Sequence, residues 1–176
     1  ENLCEEIAVT GEITNNLGLK LDTVYIGGGT PTTLDENQLE KIIISIKNSF
    51  DMSKLSEFTV EAGRPDTVTK GKLLLLKKYG VDRISINPQT FNDEVLLNIG
   101  RRHTAEDFYR AFYLARECGF DNINTDLIAG LTGDTYDSFC RSIDKAAELS
   151  PENITVHTLS LKSSSYLVTE NEEVTS

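Results

Sequence analysis

The chain has 176 residues, 39% of them hydrophobic, and carries 28 acidic against 17 basic side chains for a formal net charge of −11. That length can bury one sizeable core, so one domain is expected, while the charge excludes a polyanion such as nucleic acid as partner. No apolar run reaches the roughly 18 residues that a membrane span needs, and Glu1-Asn2-Leu3-Cys4-Glu5-Glu6 lacks the basic start and apolar stretch of a signal peptide.

Cys4, Cys118 and Cys140 are too scattered for the spacing that metal ligation or redox pairing shows. They read as structural residues, and their sparseness fits a reducing, cytoplasmic setting. The opening and closing segments are ordinary charged sequence, which predicts a piece of a longer protein.

Leu3 to Leu17 reads as a first helix. Short β-branched runs follow at Thr23–Gly27, Glu57–Ala62, Arg83–Asn87, Asn122–Ile128 and Asn153–Leu159. Helical patterns lie between them. Leu39, Ile42, Ile43, Ile46 and Phe50 share one face, Phe108, Phe112 and Ala115 another, and Phe139, Ile143, Ala146 and Ala147 a third. Thr104 is placed to cap its helix, with Asp107 three residues on. Gly80-Val81-Asp82-Arg83-Ile84-Ser85 and Gly119-Phe120-Asp121-Asn122-Ile123-Asn124 are near copies, each closing a helix and opening a strand. Strand–helix alternation at this spacing predicts an α/β fold, a parallel sheet with helices outside. Five strands are too few to close a (β/α) barrel, so a partial barrel is expected over 1–162. Residues 163–176, where periodicity is lost, form a tail.

Side chains alternate between the two faces of a strand. If Phe58, Val60, Ile84, Ile86, Ile123, Leu127, Ile154 and Val156 face the helices, then Thr59, Glu61, Ser85, Asn87, Asn124, Asp126, Thr155 and His157 face inward. Branched apolar residues normally fill a barrel's interior. Acids there are costly without partners, so a polar or cationic ligand is expected among them. Ligands of parallel α/β sheets bind at the strands' C-terminal ends. The first strand ends in Gly27-Gly28-Gly29-Thr30-Pro31, whose glycines let backbone approach a ligand closely. A tight turn into a helix near Asp35, or a phosphate cradle, are the other readings of this loop. The absence of a GxxxxGK[ST] pattern and the inward carboxylates speak against the cradle.

The glycine run resembles the motif with which radical S-adenosylmethionine (SAM) enzymes hold the methionine part of SAM. Phe58-Thr59-Val60-Glu61-Ala62, Ile84-Ser85-Ile86-Asn87-Pro88-Gln89-Thr90-Phe91, Gly100-Arg101-Arg102-His103-Thr104 and Asn124-Thr125-Asp126-Leu127-Ile128-Ala129-Gly130-Leu131 are similar to one branch, the oxygen-independent coproporphyrinogen III oxidases and their relatives. Glu61-Ala62-Gly63-Arg64-Pro65-Asp66 looks most like the coproporphyrinogen dehydrogenase subgroup. The resemblance runs from about Val24 to Lys162.

It implies that Gly28, Gly29 and Thr30 contact SAM, that Glu61, Gln89 and Asp126 bind its polar groups, and that Arg101 pairs with its carboxylate. All should converge at one place. Ser160 would contact SAM through backbone. Arg101, Arg102 and His103 have a solvated turn before the next helix as their other reading, and His157 reads as a satisfied core histidine or a substrate-lining one. The family carries a CxxxCxxC loop whose thiolates hold a 4Fe-4S cluster. That spacing is missing here, which predicts that the cluster segment lies upstream of Glu1 and that the chain alone is inactive.

What the resemblance implies for the parent is oxidative decarboxylation of coproporphyrinogen III to protoporphyrinogen IX in haem biosynthesis. SAM, a 4Fe-4S cluster, a tetrapyrrole substrate and an electron donor would take part. A related haem chaperone, and a barrel enzyme binding a phosphorylated substrate, are the alternatives.

Overall fold

A computed structural model describes residues 1–160 of the chain. Five parallel strands, β1 (Thr23–Ile26), β2 (Glu57–Ala62), β3 (Arg83–Ile86), β4 (Ile123–Ala129) and β5 (Asn153–Thr158), pair in sequential order in one open sheet. Helices α1 (Asn2–Asn16), α2 (Glu36–Ser49), α3 (Lys70–Lys78), α4 (Asp93–Asn98), α5 (Ala105–Glu117) and α6 (Tyr136–Glu148) occupy the connections. The strand positions expected from alternation hold to within one residue at each end. The expected tail at 163–176 lies outside the described residues.

The sheet has two unlike faces because the sequence alternates. Phe58, Val60, Ala62, Ile84, Ile86, Ile123 and Leu127 are all but fully buried with Ile43, Leu73, Leu76, Phe108, Phe112 and Ala115. Each such large side chain contributes roughly 1.5–3 kcal/mol by leaving water. The opposite face carries Thr59, Ser85, Asn87 and Asn124, which are buried and polar.

Four helices end the same way. After α3, Gly80 N–H donates to Lys77 O and Val81 N–H to Leu76 O; after α5, Gly119 and Phe120 repeat this with Arg116 and Ala115. Gly18 and Leu19 close α1 on Asn15 and Thr14, and Gly100 and Arg101 close α4 on Leu97 and Leu96. In each pair the glycine has positive φ, which an L side chain resists. The closures at Gly80 and Gly119 were visible as a repeat, whereas those at Gly18 and Gly100 lack the Gly-x-Asp-strand pattern and were not.

The apolar stripe expected on α6 needs correction. Ile143 and Ala147 are exposed, and the buried stripe is Ser138, Ser142 and Ala146. Its hydroxyls dock the helix: Phe91 N–H donates to Ser142 Oγ at 3.1 Å, and Asn92 Nδ2 to Ser138 Oγ at 3.1 Å. Hydrophobic periodicity cannot report a helix that packs through hydrogen bonds.

Candidate functional site

Gly27-Gly28-Gly29 leaves the end of β1 and turns through a short 3₁₀ segment, Pro31–Thr33, before α2 begins. The amino end of α2 is closed by its own residues. Asp35 Oδ1 accepts from Gln38 N–H at 2.8 Å, and Gln38 Oε1 accepts from Asp35 N–H at 3.1 Å. An anion would find that end occupied, which disfavours the phosphate-cradle reading.

β2 ends alike: Glu61-Ala62-Gly63-Arg64 leads to a 3₁₀ segment at Pro65–Thr67. The two turns are tied together. Thr32 and Thr67 hydroxyls lie 2.6 Å apart, and Lys72 Nζ donates to Thr32 O at 2.6 Å and Thr67 O at 3.2 Å. This clamp holds the glycine loop against the end of β2. Gly28 N–H then donates to Glu61 Oε2 at 3.2 Å.

Side chains added at the glycines would fare differently. At Gly27 a Cβ would stand 2.1 Å from the Tyr25 ring and 3.1 Å from Glu61 Oε2, whereas at Gly28 and Gly29 nothing lies within 4 Å. A side chain at Gly27 would therefore require the exposed Tyr25 ring to shift. Gly28 and Gly29 leave bare backbone facing open space.

Gln89 and Asp126 meet beside β3 and β4. Gln89 N–H donates to Asp126 O at 3.1 Å and Ile128 N–H to Gln89 O at 2.8 Å. Gln89 takes a left-handed backbone with φ 67°, uncommon for a residue other than glycine. The Asp126 carboxylate is anchored from within the sheet: Asn124 Nδ2 donates to its Oδ1 at 2.7 Å, and its N–H donates to Asn87 Oδ1 at 3.1 Å. Ser85 completes the cluster, donating to Asn87 and accepting from Asn124, each at 2.9 Å.

The expected site residues are spread over a shelf: Gly28, Gly29 and Thr30 follow β1, Glu61 is near the end of β2, Gln89 lies beyond β3, Asp126 is midway along β4, and Arg101 follows α4. Contacts join Gly28 to Glu61 and Gln89 to Asp126. Tyr25, projecting between the groups, has its hydroxyl pKa raised, by burial first and then by the Glu61 and Asp126 carboxylates. Arg101 follows the Gly100 closure and is half-buried. Burial and the neighbouring Arg64 lower its pKa, while Glu61 and Asp66 favour its charge. Among the described residues neither Arg101 nor Glu61 has an ion-pair partner.

Other expectations need amending. His157 is not a core histidine: its side chain is 57% exposed, with Nε2 3.8 Å from Asp126 Oδ2. Arg102 is exposed, but His103 is buried and is no part of a solvated turn. Thr30 spends its hydroxyl on Gly29 O, and Ser160 is exposed. Sequence reasoning missed Tyr25 and the Lys72 clamp. Tyr25's alternation with Thr23 and Gly27 was a usable signal, whereas Lys72 joins residues too far apart in sequence to leave one. A groove of about 880 Å³ between α1 and α2 is lined by none of the expected site residues.

SAM is a zwitterion at its amino-acid end and carries ribose hydroxyls, and the shelf suits it. An unpaired guanidinium, two carboxylates and open glycine backbone are the complement of such a molecule. A cluster is a different matter: among the described residues no three His, Cys, Asp or Glu side chains gather to hold a metal. Cys118 is in the core, and Cys4 and Cys140 are half-buried and separate from it.

The radical SAM superfamily model matches residues 5–146. The chain is 45% identical over 161 residues to the oxygen-independent coproporphyrinogen-III oxidase-like protein HemZ of Bacillus subtilis, covering 91% of this chain and 32% of that protein. It is 46% identical over 140 residues to the heme chaperone HemW of the same organism, covering 79% and 37%. The solved coproporphyrinogen III oxidase HemN of Escherichia coli superposes with a TM-score of 0.83 at 28% identity, over 96% of this chain and 38% of that one. The chain therefore spans about a third of the length of the curated relatives named here. On the extent of that match and the fold it shares, this chain belongs to the radical SAM superfamily.

Proposed function

We propose that the shelf binds SAM within a larger protein that converts coproporphyrinogen III to protoporphyrinogen IX without oxygen. The observation that carries this reading is the 45% identity to an oxidase-like relative across nearly the whole described chain. Arg101, which has no ion-pair partner among the described residues, and the Glu61 and Asp126 carboxylates support it.

SAM with a reduced iron–sulfur cluster supplies hydrogen-atom abstraction, and the protein's part is to hold and orient it. Backbone at Gly28 and Gly29 approaches the amino-acid end. Arg101 offers a guanidinium fork to the carboxylate. Glu61 takes the ammonium, and Asp126 with Gln89 the ribose hydroxyls. The Ser85–Asn87–Asn124 cluster fixes Asp126 before any ligand arrives, so little ordering remains on binding. The tetrapyrrole, the electron donor and the cluster-bearing loop belong to the whole protein.

A second reading, haem chaperone, is favoured by the 46% identity to HemW. Anaerobic incubation of the full-length protein with SAM, reductant and coproporphyrinogen III separates the two. Accumulation of protoporphyrinogen IX, read as porphyrin fluorescence after oxidation, is expected. No turnover, with stoichiometric haem uptake and transfer to an apo-haemoprotein, would establish the chaperone instead.

A further inference from the structure

Asn87 to Phe91 is a buried, irregular segment between β3 and α4. Each of its residues is staked. Asn87 Oδ1 takes the Asp126 N–H, and Gln89 exchanges backbone bonds with Asp126 and Ile128. Thr90 Oγ1 lies 3.3 Å from Ser142 Oγ, and Phe91 N–H donates to the same oxygen. Pro88 has no N–H to give, so its carbonyl is its one backbone anchor.

That anchor is His103. The residue is 3% exposed and its Nε2 lies 3.3 Å from Pro88 O. A carbonyl can only accept, so the proton sits on Nε2 and the ring is the donor. His103 comes two residues after Arg101, beyond the glycine closure of α4 and directly before the Thr104 cap of α5. One side chain therefore links the strand-end segment bearing Gln89 to the turn bearing Arg101.

We infer that His103 is a positioning residue for cofactor binding, holding Pro88 so that Gln89 keeps its left-handed backbone and presents its side chain beside Asp126. This rests on the SAM reading of the shelf. Left-handed backbone at a glutamine is held against its own preference, and such geometry persists only where surrounding contacts over-determine it. Two of those contacts come from β4. His103 supplies the stake on the other side. Without its donor, the buried Pro88 carbonyl is unsatisfied, and the segment gains by turning that oxygen elsewhere.

The test uses the full-length protein and two readouts. Equilibrium dialysis with SAM should show a dissociation constant raised about tenfold or more for His103→Ala. His103→Gln, whose amide nitrogen can stand where Nε2 stood, should remain within about threefold of wild type. In a Gln89→Ala background, itself weakened, His103→Ala should add little, because its effect travels through Gln89. Amide hydrogen exchange is independent of SAM. His103→Ala should speed exchange at Gln89 and Ile128 while leaving the core amides of Ile84 and Val60 protected. If His103→Ala fails to fold, His103→Gln against His103→Asn decides, since asparagine withdraws the donor and should weaken SAM. Wild-type affinity in a folded His103→Ala or His103→Asn protein overturns the inference, as does exchange that rises equally everywhere. A wild-type protein that binds no SAM overturns it together with the site reading. Local exchange at Gln89 and Ile128 would still distinguish that failure from a failure of the His103 stake.

Discussion

The amide of Gly28 donates to Oε2 of Glu61 across 3.2 Å, joining strand ends 33 positions apart in the chain. The bond turns a glycine loop and an inward acid into one surface. Replacing Glu61 by Gln keeps an acceptor for Gly28 and removes only the charge. We predict that Glu61→Gln in the full-length protein weakens SAM binding roughly ten- to a hundredfold. The unfolding midpoint should barely move. A large loss of stability with unaltered affinity would make Glu61 a structural residue.

Gly28 and Gly29 separate backbone strain from ligand space. Gly28 has φ 113°, whereas Gly29 lies outside the left-handed region, and both have open space where a Cβ would stand. Gly28→Ala should destabilise by about 1–2 kcal/mol in urea unfolding. Gly29→Ala should change stability by less than about 0.5 kcal/mol, yet weaken SAM binding, because its methyl group occupies room that the ligand uses. Equal, wild-type affinity in the Gly29→Ala protein would place the ligand elsewhere.

His103 gives a pH dependence with a definite sign. Burial is the main cause that lowers its pKa below the ordinary 6.5; the Pro88 carbonyl opposes this, Arg101 adds to it, and Asp66 and Asp107 oppose it. The folded state therefore favours the neutral ring. Between the lowered folded value and 6.5 the unfolded chain binds more protons, so this contribution is complete above 6.5 and is lost as pH falls below it. Urea unfolding from pH 7.5 down to 5 should show wild type losing stability relative to His103→Gln. A difference that stays constant would mean that folding leaves the His103 pKa where it is in the unfolded chain.

Iron uptake tests the reading of the cysteines. Anaerobic reconstitution of the 176-residue chain should yield no stoichiometric cluster, because Cys4, Cys118 and Cys140 do not gather. Visible absorbance of the cluster and iron analysis report this directly. A stable cluster would require the three to be brought together and would overturn the fold around Cys118.

Much of this architecture was legible because alternation and amphipathic spacing are local. Glu61 and Asp126 fell on the inner face by parity alone, and the Thr104–Asp107 capping box appears as its spacing predicts. What escaped is non-local or polar. Lys72 reaches Thr32, 40 positions away, and no pattern within one helix announces that. Ser138 and Ser142 bury a hydroxyl stripe that apolar periodicity assigns to solvent. Gln89 pairs with β4 beyond Pro88, where a proline in a strand pattern marks its end. His157 stands exposed because β5 is an edge of the described sheet.

The most direct test of the central claim, that SAM binds on this shelf, is the affinity of the full-length Asp126→Asn protein for SAM, measured beside wild type. Asn124 and Asn87 fix the Asp126 carboxylate and backbone, so the substitution removes charge at nearly constant volume and should leave the fold intact. Loss of a charge-assisted hydrogen bond costs about 1.5–3 kcal/mol, so the dissociation constant should rise roughly ten- to a hundredfold with little change in unfolding midpoint. An Asp126→Asn protein that binds SAM as tightly as wild type would contradict the account.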